Sequence, residues 1–220
     1  MTDQIITGQG PTLKEIAEMF DGEVELMIRL IVKHQRAICK KYFPKTILSG
    51  FDLDFEKANI VGHYRPGWER LLIVPGGYTA NIGYQANDKQ FPCSSYDYID
   101  EAIVHNDRDA SRGCYAIFCR DRREADEELK NLSAREIWQE NILGQTLAER
   151  VYHEMVFWDE TGDHLDYRSW TLCSGSRYDD GNIPFVYWNV DEFKVDYCHP
   201  DGHNDNIRVR AVVPCQPKVG

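Results

Sequence analysis

The chain has 220 residues and a formal net charge of −11, with 36 acidic and 25 basic side chains. This is long enough for one elaborated domain or two small ones around a real core. The acidity excludes a general nucleic-acid binder, which needs clustered Lys and Arg against phosphate, and a polybasic membrane-surface protein; it weakly favours basic partners.

The opening stretch is polar and carries no apolar leader, so the expected location is the cytoplasm, with surface display by another route as the alternative. No run of about 18 apolar residues is present, so no membrane insertion is expected. Cysteines stand at 39, 93, 114, 119, 173, 198 and 215. Their odd number reads as reduced thiols, the alternative being one oxidised pair, such as Cys173 with Cys198, in a protein exported by another route.

Thr12 with Glu15, just after Pro11, is a capping box and opens a first helix. Val24, Met27, Leu30, Ile31 and Ile38 recur at helical spacing and predict a long second helix over 23–42, ended by Pro44. Residues 47–92 are punctuated by PGW, PGG and several Asn and predict loops with short strands, LLIV (71–74) among them. CYAIFC (114–119) reads as a buried strand. DRREADEELK (121–130) reads as a solvated face or linker.

Ser133 with Glu136 and Thr146 with Glu149 are two more capping boxes. The second opens an amphipathic helix over 146–161 with Leu147, Val151, Met155 and Trp158 on one face and Gly162 as its C-cap. Four β-type runs follow: 169–175, 184–188, 193–197 and 207–213. The last two alternate with period two, as half-buried strands do. The chain therefore reads as α+β, helices first and an antiparallel C-terminal sheet after.

Candidate chemistry is sparse. His199-x3-His203-x-Asp205 matches a two-His, one-carboxylate ligand set, with Cys198 adding a zinc option. Pro200, Asp201 and Gly202 write a turn there, however, whereas such spacing works on a helix. SGS (174–176) lacks the nucleophile-elbow glycines and reads as a tight turn. GYTANIG (77–83) has no phosphate-loop Lys. The pairs Asp52/Asp54 and Asp179/Asp180 have no acid/base partner and read as solvated. Trp170 and Trp188 read as core, whereas Tyr178, Tyr187 and Tyr197 sit among small polar residues, as in adaptable binding surfaces.

One composition is anomalous. Asn, Asp, Tyr and His make up 15 of the 29 residues from 178 to 206, against 34 of the other 191. Solubility alone would raise Glu and Lys as well, yet the window holds one of each, Glu192 and Lys194. The four enriched types share NAY codons and differ only at the first base, so a template rich in AAY codons and altered at adenines yields this mixture. Second-base changes add Cys, Phe, Val, Gly, Ile and Pro; Trp188, Glu192 and Lys194 cannot arise from AAY.

With that signature, the block SWTLCSGSRYDDGNIPFVYW…FKVDYCHP…IRVRAVV resembles the variable proteins of diversity-generating retroelements. The tract from LSAREI through TLAERVYHEMVFWDETGDHLDYRSW is similar to uncharacterised proteins of small-genome bacteria and archaea that carry such elements. The likeness covers about 130–213. It implies a C-type lectin fold of the kind shared with formylglycine-generating-enzyme-like domains, its end rewritten by adenine-specific mutagenesis.

On that likeness, residues 1–45 are N-terminal helices and 46–220 a C-type lectin-like domain with antiparallel C-terminal strands and a variable region at about 178–206. Ile183, Phe185, Val186, Phe193, Val195, Ile207, Val209 and Val212 form its core. The ligand-binding residues are Tyr178, Asp179, Asp180, Asn182, Tyr187, Asn189, Asp191, Asp196, Tyr197, Cys198, His199, Asp201, His203, Asn204 and Asp205. Alternation puts Lys194 and Asp196 opposite Phe193, Val195 and Tyr197, so not all of these point one way. The implied partner is an unknown protein or cell-surface ligand; no cofactor is implied, and the oligomeric state stays open. The alternative is a metal-dependent enzyme on the same fold using His199, His203 and Asp205. Against it, no close cysteine pair stands in the C-terminal part, and His34 and His153 stand singly in the helices. A structural protein without a site is the third reading.

Overall fold

Helix α1 (Val24–Tyr42) buries Met27, Ile28, Ile31, Gln35, Ile38 and Cys39, a spacing that lays one stripe against the core. The computed structural model describes residues 24–53, 58–95 and 99–215, so the helix expected after Thr12, and Asp54, lie outside it. Pro44 cannot continue α1 and instead precedes a short helix, α2 (Lys45–Ser49). The expected division after residue 45 falls inside α2. A further short helix, α3 (Ile60–His63), leads to strand β1 (Arg70–Val74), buried at all five positions.

The stretch 47–92, expected to be loops and short strands, also holds helix: the end of α2, α3, and the longer α4 (Ala80–Asp88). Thr79 caps it by accepting from the Ile82 N–H at 3.3 Å. Gly83, which reads as a breaker, is there for packing: a Cβ would lie 1.8 Å from the Tyr78 hydroxyl and 2.8 Å from Val151. Next come β2 (Cys93–Ser95), α5 (Ile99–Ala102), β3 (Ile103–Asn106) and β4 (Tyr115–Cys119). The charged stretch 121–130 is no linker. Ala125 and Asp126 are buried, and Asp126 Oδ2 accepts from the Ala211 N–H at 2.9 Å.

Both later capping boxes form, at the starts of α6 (Ala134–Gln139) and α7 (Leu147–Thr161), and Gly162 ends α7 in the left-handed region at φ 69°. Strands β5 (Trp170–Leu172), β6 (Ser176–Tyr178), β7 (Ile183–Asn189), β8 (Glu192–Cys198), β9 (Ile207–Val209) and β10 (Val212–Pro214) complete the described chain. The protein is α+β.

Three sheets result among the described residues. One is antiparallel, in the order β1-β4-β10. The second runs β2-β8-β7-β5-β9; its central pairings β8-β7 and β7-β5 are antiparallel as expected, and each edge adds a parallel pairing. The third pairs β3 with β6, so the expected turn at 174–176 runs directly into a strand. The expected single strand over 207–213 divides: Ile207–Val209 edges the second sheet and Val212–Pro214 the first. One C-terminal stretch thus ties the two sheets together.

Helix α7 lies between those sheets. Tyr152, Met155 and Val156 share a cluster with α1, β1 and β4, while Leu147 and Val151 join Val186, Trp188, Phe193 and Val195. The expected stripe is present, but residues 149–156 are buried all round. A helix wrapped in protein must satisfy its polar face internally, and this one does so with ion pairs. The outer face of the five-stranded sheet packs Leu172, Ile183, Phe185, Ile207 and Val209 against Ala134 and Ile137. No described helix is long and apolar enough to cross a membrane.

Candidate ligand-binding surface

The eight expected core residues of the C-terminal block, from Ile183 to Val212, are all buried. The β7/β8 register fixes what their neighbours do: Val186 pairs with Val195 and Trp188 with Phe193 on the α7 side, while Phe185 pairs with Asp196 and Tyr187 with Lys194 on the outer side. Lys194 and Asp196 therefore do lie opposite Phe193 and Val195, as alternation requires.

The candidate residues do not form one patch. Asp179 and Asp180 are exposed in the β6–β7 turn, where Asp180 accepts from the Asn182 N–H at 2.9 Å and from its side-chain amide at 2.7 Å. Tyr178 is buried, its ring 5.8 Å from that of exposed Tyr197. It belongs to the framework, because its strand pairs with β3 at Ile103. Asn189, at the end of β7, and Asp191, in the β7–β8 turn, are exposed, six residue steps and so about 20 Å from the Ile183/Cys198 end. Tyr187, Asp196 and Cys198 are half-buried on the outer face between those ends.

The remaining candidates ride the crossover from β8 to β9. It leaves β8 at the level of Ile183 and enters β9 at the level of Trp170, so it crosses the outer face diagonally. On the way it is pinned to α6: the Arg135 N–H donates to Pro200 O at 3.1 Å, and the Arg135 guanidinium pairs with Asp201. That pairing holds the Asp201 carboxyl below its usual range. His199 and His203 face different partners. His199 Nδ1 accepts from the Asp201 N–H at 3.3 Å, and His203 Nδ1 lies 2.9 Å from Asn131 O. Asn204 is half-buried and Asp205 exposed. Among the described residues no group of three or more His, Cys, Asp or Glu is placed to hold a metal ion, so the spacing at 199, 203 and 205 does not close into a site.

Burial pushes the Cys198 thiol up to about 11, which disfavours the thiolate a metal or an electrophile would need. The pairing of Cys173 with Cys198, the alternative to reduced thiols, does not form. Cys173 packs with the α7 side of the sheet and Cys198 with the outer side, and both are free.

Two features escaped the sequence. Trp170, read as core, is half-buried on the outer face, its ring stacked at 5.1 Å on Phe185 and 4.9 Å from Tyr187. Only the strand register, which places Trp170 beside Tyr187, separates it from Trp188. The second is a buried ion cluster beneath the sheet. Asp166 accepts from Arg150 at 3.0 Å, Arg210 at 2.6 Å and Thr171 at 2.5 Å. Arg150 also pairs with Glu154 at 2.7 Å, whose other oxygen lies 2.9 Å from His164 Nδ1. Burial alone would raise the Asp166 carboxyl; the two guanidiniums outweigh it and hold it below its usual range.

Comparison of the chain with protein-family models, curated proteins and solved structures finds no match.

Proposed function

We propose that the protein is a ligand-binding module of C-type lectin-like fold, with a C-terminal surface diversified by adenine-directed retroelement mutagenesis to bind a protein or cell-surface ligand. One observation carries the reading: fourteen of the fifteen candidate positions are exposed or half-buried, whereas each of the eight apolar residues of that block assigned to the core is buried. Side chains can then change at the surface while the scaffold stays fixed. The anomalous composition is what such a process leaves behind, since an ordinary solvated surface would favour Glu and Lys. The block following the window fits the same division of labour, because Arg210 is locked in the ion cluster and Val209 and Val212 are core.

The decisive experiment is to sequence the gene and its flanks in independent isolates. The expected result is a reverse-transcriptase gene beside a near-identical repeat of the 3′ segment, with mismatches confined to template adenines. Absence of the repeat, or variation spread over synonymous sites across the chain, overturns the proposal.

A further inference from the structure

Residues 26–51 contain six Lys or Arg, at 29, 33, 36, 40, 41 and 45, and no Asp or Glu, whereas the other 194 residues carry 36 acidic against 19 basic side chains. Five of the six lie on α1 and are exposed there. They divide by face. Lys41 reaches across to α7 and pairs with Asp159 at 2.7 Å. Arg29, Lys33, Arg36 and Lys40 follow at intervals of four, three and four residues, which confines them to an arc about 60° wide and a row about 17 Å long. Arg29 pairs along the helix with Glu25 at 2.7 Å. Lys33, Arg36 and Lys40 pair with no described carboxylate. Beside this row run half-buried Leu26 and Leu30 and exposed Ala37, an apolar strip at helical spacing that the core leaves partly uncovered. The fully buried stripe, from Met27 to Cys39, faces the core on the other side of the helix.

We infer that this face of α1 docks an acidic amphipathic helix of a partner protein, whose carboxylates meet the cation row and whose apolar residues meet Leu26, Leu30 and Ala37. Two helices laid side by side share one repeat, about 5.4 Å per turn, so carboxylates three and four residues apart on the partner match cations spaced in the same way. An apolar seam flanked by charges is the pattern by which helices pair. A nucleic acid is recognised through a broader cationic groove and aromatic platforms, and the exposed residues of α1 include no aromatic. A membrane surface takes up an amphipathic helix by its apolar face, which α1 buries in the core. No α1 residue belongs to the clusters that hold the five-stranded sheet, so this docking face stands apart from the C-terminal surface and does not rest on the function proposed for it.

The test is calorimetric titration of the whole protein with a peptide of three Leu-Glu-Glu-Leu-Ala-Glu-Glu heptads. Three comparisons run beside it: a peptide of the same composition in scrambled order, a single-stranded oligonucleotide, and vesicles of phosphatidylserine with phosphatidylcholine. Lys33→Gln with Lys40→Gln is measured against a control, Lys89→Gln with Lys130→Gln, which removes the same charge elsewhere. All four lysines are exposed, so both variants should melt as the wild type does. The heptad peptide is expected to bind and to gain helical circular dichroism. Its affinity should fall about fivefold in the α1 variant and less than about twofold in the control. Failure of the heptad peptide to bind, equal binding of the scrambled peptide, or equal weakening by the two variants overturns the inference. Tighter binding of the oligonucleotide or the vesicles overturns it as well, because the face then takes an extended polyanion rather than a helix.

Discussion

Val190 holds φ 57° in the β7–β8 turn while 88% exposed. A β-branched residue is a poor occupant of the left-handed region, where Gly and Asn are at ease. Nothing packs Val190 there in compensation, so Val190→Asn is expected to stabilise the fold by about 1 kcal/mol in urea titration. Asp166 behaves in the opposite way. Asp166→Asn leaves Arg150 and Arg210 buried without their shared carboxylate, which is expected to cost about 3–5 kcal/mol. The sign with pH follows from its lowered folded value: its contribution is present above the unfolded carboxylate range, about pH 4, and is lost as pH falls through the folded value. Acid unfolding of the wild type should therefore show a step that Asp166→Asn lacks. None of this was legible in sequence, because Asp166, Arg150 and Arg210 are distant along the chain and each reads alone as a solvated charge.

Elements held by local interactions were legible. The capping boxes at Ser133 and Thr146, the C-cap at Gly162 and the stop at Pro44 are set within four residues of where they act. Helix α4 was not legible, since Gly83 acquires its meaning only where Tyr78 passes over it. Nor was the division of residues 207–213, because which sheet a strand joins is decided by remote partners. Docking of α1 on α7 is likewise long-range and carries a pH dependence. Lys41 pairs with Asp159 at 2.7 Å, and His34 lies 3.4 Å from Glu160, which also pairs with Arg70. Glu160 raises the His34 value above the ordinary imidazole, against the opposing effect of burial. A raised value means stability fully present below about pH 6.5 and lost as pH rises through the folded value. His34→Gln should therefore flatten the urea midpoint between pH 6 and 8, where the wild type declines.

At the scale of the whole molecule, the window of biased composition was legible as a count but not as a shape. A count along the chain cannot tell that Asn189 and Asp191 lie at the far end of the hairpin from Asp179, or that Tyr178 turns inward. Both facts come from the β7/β8 register and the β3 pairing. The framework around the window predicts how much change it tolerates. Exposed substitutions away from caps and ion clusters shift stability by about 0.5 kcal/mol with either sign. Fourteen independent ones add as a random walk, to about 2 kcal/mol, against a total of about 5–15 kcal/mol for a domain. Surface ion pairs such as Arg135–Asp201 change this little, being worth about 0–1 kcal/mol. A library carrying AAY-derived residues at the fourteen exposed or half-buried candidates should therefore fold in the majority of members, as read by protease resistance. Adding Tyr178 to the randomised set should sharply lower that fraction, since its ring is buried. Randomising instead the eight buried apolar residues should abolish folding, because each large-to-small change there costs about 2–5 kcal/mol. Equal survival of the two libraries would show that burial does not separate the changeable positions from the fixed ones.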